Sequence, residues 1–278
     1  LTSRSLPNRA IQLAESRLLA KTDLVIVSSP AFVTHHFAHR LPKTTPTLLV
    51  ENKLFGVSAP HHPPAPPPGP PWTIGWFGML RCQRTLEILA RLAERAAGSI
   101  AILIAGKPSA AVFADFEGQI ARLPHCRYVG PYRPDDLPGL YSQCHFAWSI
   151  DWFEEGLNSS WLLPNRIYEA SAFDVVPIAL DSVETGRWLA RHGAGALMAP
   201  DDVEHQLHAL FTQLGADQYA AFRGAMAAIP RRALMADGDD CRVLLAAIAA
   251  VLLNWFFNGA PHADEADIRR AGHAADSH

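Results

Sequence analysis

From Trp72 onward, short apolar runs alternate with segments whose apolar residues recur at helical spacing. The runs near Thr73–Phe77, Ile100–Ala105, Arg127–Val129, His145–Ile150, Val175–Ala179 and Ala194–Met198 read as strands. A short, continuous apolar run bounded by turn residues fits a strand buried on both faces. Parallel neighbours need a return crossover, usually helical, so this alternation predicts an α/β fold with a doubly wound parallel sheet. Ligands of such sheets bind beyond the carboxyl ends of the strands. The loops after Phe77, Ala105, Ile150 and Ala179 are therefore where chemistry is expected.

The pattern before Trp72 differs. Asp23–Ser28 reads as a strand, Pro30–Leu41 as a helix and Thr47–Glu51 as a second strand, which makes residues 1–59 the tail of another α/β domain. Between Pro60 and Pro71, eight of twelve residues are proline. Proline removes backbone donors and favours extended polyproline II, so 60–71 reads as a semi-rigid linker and 72–257 as the main domain. The apolar run Val243–Phe257, interrupted by Asn254, is shorter than the roughly 20 residues that cross a bilayer and lacks a basic face. It is expected to be a packed C-terminal helix. The polar tail 258–278, rich in Ala, Asp and His, reads as disordered.

Composition narrows the function classes. The chain has 278 residues, of which 49% are hydrophobic and 18% charged, enough for a sizeable core. A formal net charge of -3 gives no broad positive field for nucleic acid. Cys82, Cys126, Cys144 and Cys241 are widely spaced without a C-x-x-C pair, which argues against a zinc site or disulfide framework and fits a reducing, cytoplasmic setting. His35, His36 and His39 share helical spacing, but with no acidic or cysteine partner nearby they read as a polar face, and no metal site is expected. The first residues lack the regions of a signal peptide, and a chain opening on Leu1 is expected to be a fragment.

Two constellations carry candidate chemistry. Gly75-Trp-Phe-Gly78-Met-Leu-Arg81-Cys-Gln-Arg84 closes the first strand and opens a helix at about Cys82. Its glycines permit close backbone approach, the helix start offers free N–H groups, and Arg81 and Arg84, one turn apart, could grip a diphosphate. It is neither a complete G-x-G-x-x-G fingerprint nor a P-loop. The second is Asn158-Ser-Ser-Trp-Leu-Leu-Pro164-Asn165-Arg166-Ile-Tyr168-Glu169-Ala-Ser171. Pro164 suits the first turn of a helix, and Arg166 and Glu169, three apart, then share a face. A carboxylate there can accept both ribose hydroxyls while Arg166 meets phosphate; the plain alternative is a surface ion pair. Asp151, just past the His145–Ile150 strand, could contact sugar hydroxyls or cap a loop. Glu184 could touch a donor or open a helix. Trp148, Trp152 and Trp161 could stack on a ring or serve as packing.

In order and spacing these pieces resemble the retaining glycosyltransferases of the GT-B architecture, the bacterial group that builds exopolysaccharides and lipopolysaccharides. The resemblance runs from about Asp23 to Leu210. It includes Thr22-Asp-Leu-Val-Ile-Val-Ser-Ser, the Gly75/Gly78 loop, Leu103-Ile-Ala-Gly106, Val129-Gly130-Pro-Tyr, Leu137-Pro-Gly-Leu-Tyr141, Glu169-Ala-Ser-Ala-Phe-Asp-Val-Val-Pro-Ile and Gly193-Ala-Gly195. It implies a Rossmann-like donor-binding domain in 72–257. Gly75, Gly78, Arg81, Arg84, Asn165, Arg166 and Glu169 would hold a uridine- or guanosine-diphosphate sugar, with Arg81, Arg84 and Glu169 serving catalysis and Glu169 binding the ribose. It further implies hexosyl transfer with retention to a lipid-linked saccharide, no separate cofactor, and a cytoplasmic place at the inner membrane surface. Two departures stand out. The family's first glutamate falls at Trp161, with Glu154 and Glu155 as candidates to replace it, and Met79 stands where the family has arginine. A sugar-nucleotide epimerase of the same fold and a non-catalytic nucleotide-sugar or protein-binding module are the rival readings.

Overall fold

The computed structural model describes residues 6–55 and 65–258. They fall into two compact units, one spanning Glu51–Asp237, the other formed by the chain up to Val50 together with the segment from Gly238.

The larger unit is built on a six-stranded sheet, every pairing parallel: β3 (Trp72–Leu80), β4 (Ile100–Pro108), β5 (Cys126–Tyr128), β6 (Phe146–Trp148), β7 (Val176–Leu180) and β8 (Ala196–Met198). The order is β5-β4-β3-β6-β7-β8, so the chain winds outward in one direction from β3 and in the other from β6. All six expected strands are present, and the doubly wound reading holds. The helices are α3 (Gln83–Arg95), α4 (Phe116–Ile120), α5 (Leu137–Tyr141), α6 (Asn158–Trp161), α7 (Asn165–Ala172), α8 (Glu184–Arg191), α9 (Val203–Gln213), α10 (Ala216–Ala227) and α11 (Arg231–Leu234).

Alternation along each strand sends side chains to opposite faces. Trp72, Ile74 and Trp76 of β3, Ile102 and Ile104 of β4, and Phe146 and Trp148 of β6 join one core, with Leu86, Leu89 and Leu92 of α3. Phe77, Leu103, Ala105 and Ala147 join a second, with Leu137, Leu140 and Tyr141 of α5. Helix α7 contributes to both, Ile167 and Tyr168 to the first and Ala170 to the second. The position of α7 is thus fixed from both sides of the sheet.

At the carboxyl end of β3 the strand is longer than its apolar run suggests, because Gly78 pairs in register with Gly106 of β4. Both glycines have positive φ, +112 and +136. A Cβ on Gly106 would sit 1.8 Å from the Gly78 carbonyl oxygen, whereas a Cβ on Gly78 would meet nothing within 4 Å. The first glycine is required by its neighbour's backbone; the second leaves the strand end open to approach.

Several expectations need correction. The units part at Val50/Glu51 rather than in the proline run, and the described part of that run belongs with the larger unit. There the Pro67 carbonyl accepts a hydrogen bond from His145 Nε2 at 2.9 Å, while His145 Nδ1 accepts the Thr73 N–H at 3.0 Å. Burial lowers the His145 pKa, so the neutral ring that this pattern requires is favoured. The remainder of the proposed linker, and all of the tail 258–278 beyond Asn258, lie outside the described residues. Pro164 caps α7 rather than occupying its first turn.

The smaller unit comprises α1 (Leu6–Leu19), the parallel pair β1 (Val25–Val27) and β2 (Thr47–Leu49), α2 (Pro30–Phe32) continuing into a π-helical turn Val33–Phe37, and α12 (Gly238–Asn258). Helix α1 supplies the acidic partner that the histidines lack in sequence: Glu15 accepts from His36 Nε2 at 2.6 Å and from Arg40. Helix α12 begins earlier than its apolar run and falls in this unit, not in the 72–257 domain to which the sequence assigned it. It is not a packed helix: Val243, Leu245, Leu252, Leu253, Phe256 and Phe257 are all exposed. With a mean hydropathy of 1.7 over Gly238–Phe257, it is long and apolar enough to cross a membrane by length and composition.

The glycine contact predicts that Gly106→Ala forces β3 and β4 apart at the site end, costing about 2–3 kcal/mol and lowering Tm by about 5–10 °C. Gly139→Ala, in open space on α5, should match or slightly exceed wild type, because alanine is the better helix former. Thermal unfolding followed by circular dichroism checks both.

Candidate functional site

The strand order reverses between β3 and β6, and the crevice beyond their carboxyl ends is where a doubly wound sheet binds its ligands. Arg81 follows β3 and Asp151 follows β6. Across that crevice Arg81 Nη2 donates to Asp151 Oδ2 at 3.0 Å. The carboxylate is nearly buried, with 8% of its side chain exposed, and its Oδ1 accepts the Phe153 N–H at 2.9 Å. On its other side, Arg166 Nη2 of α7 stands 3.9 Å from Oδ2, with 14% of that side chain exposed. One carboxylate thus holds two guanidinium groups side by side, although like charges would otherwise repel.

The segment after Asp151 also engages the arginines through its rings. Arg81 lies over Phe153, 4.5 Å from the ring centroid, and Arg84, in the first turn of α3, lies 4.2 Å over Trp152. Arg84 is also 3.4 Å from Glu155 Oε2, an exposed and therefore weak pair. Cys82 caps α3 without a side-chain hydrogen bond to the helix, so the first N–H groups of α3 have no capping side chain. Arginines, helix start and open Gly78 backbone together form a surface suited to an anion.

Glu169 lies one turn along α7 from Arg166. Tyr141, fully buried on α5, donates its hydroxyl to Glu169 Oε2 at 3.1 Å. Burial raises the Glu169 pKa, opposed by the Tyr141 hydrogen bond and the nearby Arg166 charge. Tyr132, from the loop after β5, packs edge-on to Phe77 at 6.2 Å, and burial, reinforced by the Glu169 charge, pushes its phenol up to about 12. The run leading into α7 is fastened at two carbonyls: Asn52 Nδ2 donates to Leu163 O at 2.8 Å and Thr185 Oγ1 to Leu162 O at 3.2 Å.

The structure therefore brings together Arg81, Arg84, Asp151, Glu155, Arg166 and, through Arg166, Glu169. Gly78 lies beside them. Gly75 does not belong to the loop: it sits inside β3, where a Cβ would meet the Phe77 ring at 2.7 Å and Cys144 Sγ at 2.8 Å, so it serves packing. Asn165 is exposed at the start of α7, and Glu154 is exposed, its backbone N–H bonded to Ser159 Oγ at 3.1 Å. Glu184 is buried and paired with Arg191 at 3.1 Å and Arg187 at 3.7 Å on its own helix, the helix-opening role. Trp148 is core, its indole N–H donated to Thr85 at 3.3 Å, and Trp152 packs beside it while carrying Arg84. Sequence reasoning missed Tyr141, Tyr132 and Phe153 as site residues; the first two stand in recognised motifs but carry no charge that would mark them.

The fold is the α/β, Rossmann-like fold of the GT-B glycosyltransferases. Over 260 residues the chain is 38% identical to the succinoglycan biosynthesis protein ExoL of Rhizobium meliloti, covering 90% of this chain and 64% of that protein. It thus spans somewhat less than two thirds of that relative's length. Among solved structures it superposes on Anabaena HepE in complex with UDP and glucose with a TM-score of 0.65 at 15% identity, covering 88% of this chain and 69% of that one. On sucrose-phosphate synthase from Thermosynechococcus elongatus the score is 0.61 at 17% identity, covering 90% and 64%. No protein-family model matches the chain.

Because burial raises the Glu169 pKa, the folded chain binds protons on this group more readily than the unfolded chain. Its contribution to stability is fullest at low pH and is lost as pH rises through the folded pKa. Glu169→Gln should therefore raise Tm at pH 8, with the gain shrinking as pH falls through the carboxylate range. Differential scanning fluorimetry across pH reads the gap, and a constant or reversed gap contradicts the assignment.

Proposed function

We propose that this chain carries the donor site of a glycosyltransferase that moves a hexosyl unit from a uridine- or guanosine-diphosphate sugar to a lipid-linked saccharide, with retention, in surface polysaccharide synthesis. The observation carrying this reading is the cluster of Arg81, Asp151 and Arg166 at the point where the strand order reverses, with Glu169 one helical turn from Arg166. HepE, crystallised with UDP and glucose, shares the fold, and ExoL is named for polysaccharide synthesis. The acceptor, the retention of configuration and a cytoplasmic place at the membrane surface rest on resemblance to the family.

The chemistry follows from the charges. Breaking the bond between sugar and diphosphate leaves negative charge on the departing phosphate and positive charge on the sugar. Groups that bind the departing charge more tightly than the starting charge lower the barrier. Arg81 and Arg84 and the uncapped start of α3 supply that binding, while the open Gly78 backbone lets phosphate approach. Glu169, ionised, accepts hydrogen bonds from the ribose hydroxyls and fixes the nucleotide so that the diphosphate meets the arginines. Asp151 spends its carboxylate on Arg81 and Arg166 and so arranges cations rather than touching sugar.

Calorimetric titration with UDP and GDP tests the site. Saturable binding of one of them is expected, weakened about tenfold or more in Arg81→Ala and in Glu169→Ala, the usual worth of a charge-assisted hydrogen bond. A folded chain that binds neither overturns the reading. Glu155→Gln should instead tighten diphosphate binding by about twofold to threefold, since it removes a carboxylate that competes for Arg84 with the strength of an exposed pair.

A further inference from the structure

We infer that Tyr141 is a positioning residue for the donor site, its buried hydroxyl fixing the Glu169 carboxylate in the one orientation that leaves Oε1 to accept the ribose hydroxyls. The inference deepens the donor-site reading and rests on it.

The Tyr141 ring is held on two sides, stacked on Phe173 at 5.4 Å between centroids and edge-on to Phe77 at 5.0 Å. It is 1% exposed, so it swings little and its hydroxyl cannot turn to water. The O–H has Glu169 Oε2 as its acceptor at 3.1 Å. Among the described residues no other hydrogen bond to the Glu169 carboxylate is found, which leaves Oε1 as an acceptor. A flexible glutamate would have to be ordered each time a nucleotide binds; one already clamped has lost that freedom on folding.

The same bond acts on charge. Glu169 is faced by Tyr141 on α5, by Tyr132 from the loop after β5 and by Arg166 on its own helix. Burial favours the protonated acid, whereas the Tyr141 hydroxyl and Arg166 favour the carboxylate. Tyr141 itself is pushed well above the ordinary phenol range, chiefly by burial and then by the Glu169 charge, so it remains a donor. A protonated glutamate has less capacity to accept two ribose hydroxyls, so nucleotide binding fades as pH falls through the Glu169 pKa.

The experiment is the pH dependence of UDP affinity, by calorimetry over roughly pH 5 to 8, a range that spans a raised carboxylate. Tyr141→Phe is expected to weaken binding about tenfold at the acid end and to move the pH midpoint upward, because a bond to the charged form has gone. Replacing Tyr141 with 3-fluorotyrosine keeps the shape and strengthens the donor, moving the midpoint downward, and this variant decides the matter if Tyr141→Phe does not fold. Both shifts should vanish in a Glu169→Gln background, the non-additivity expected of groups acting as a pair. A midpoint unmoved by either variant, or shifts that persist without the carboxylate, overturns the role of Tyr141 while leaving the donor site standing. UDP binding indifferent to Glu169→Gln overturns the donor-site reading itself.

Discussion

The site depends on a carboxylate that the protein keeps almost out of water. Asp151 is the counter-ion without which Arg81 and Arg166, arriving from β3 and α7, would repel each other across a narrow crevice. Neutralising one positive charge leaves the group cationic overall, still attractive to a diphosphate but compatible with folding in its absence. The desolvation of Asp151 is offset by two guanidinium groups and the Phe153 N–H, the condition under which a buried charge is tolerated. Phe153 and Trp152 complete the arrangement by giving Arg81 and Arg84 flat aromatic faces to lie on, which narrows the freedom of both side chains.

Backbone packing sets the stage for this charge arrangement. The contact of Gly106 with the Gly78 carbonyl lets β3 and β4 run side by side to their very ends, and the turn into α3 follows directly. Helix α7 is pinned by cores on both faces of the sheet, and the run before it by Asn52 and Thr185 at successive carbonyls. Arg166 and Glu169 therefore stand on a rigid element. Arg81 and Arg84 stand at a helix start, where ligand contact is most useful.

Much of the fold was legible in the sequence because buried parallel strands leave short, continuous apolar runs that little else imitates. Where reading stopped short, the cause was local. Strand β3 continues past Phe77 through Gly78 and Met79, and a glycine reads as a strand's end when it is in fact a close contact with another strand. Gly75 shows the converse, a glycine that looks like loop chemistry but makes room for a ring and a thiol. Helix α12 was visible as an apolar run, yet periodicity reports which residues could be buried, not whether anything covers them. In the site, Arg81, Arg84, Arg166 and Glu169 could be picked out by charge and spacing. The role of Asp151 could not, since Arg81 lies 70 residues before it and pairs with it only when the sheet brings the ends of β3 and β6 together.

Tyr141 marks the limit of sequence reasoning most clearly. A tyrosine one helical turn after Leu137 belongs to the core, and its ring does. Its hydroxyl belongs to the site. The residue joins the two because α5 packs against the sheet within reach of Glu169 on α7, so that the one polar atom of a core ring donates to a carboxylate whose charged form burial disfavours. Keeping Glu169 ionised there lowers the stability of the fold, and one hydrogen bond from an otherwise apolar cluster offsets part of that cost. A core built for stability alone would place phenylalanine at 141 and a neutral residue at 169.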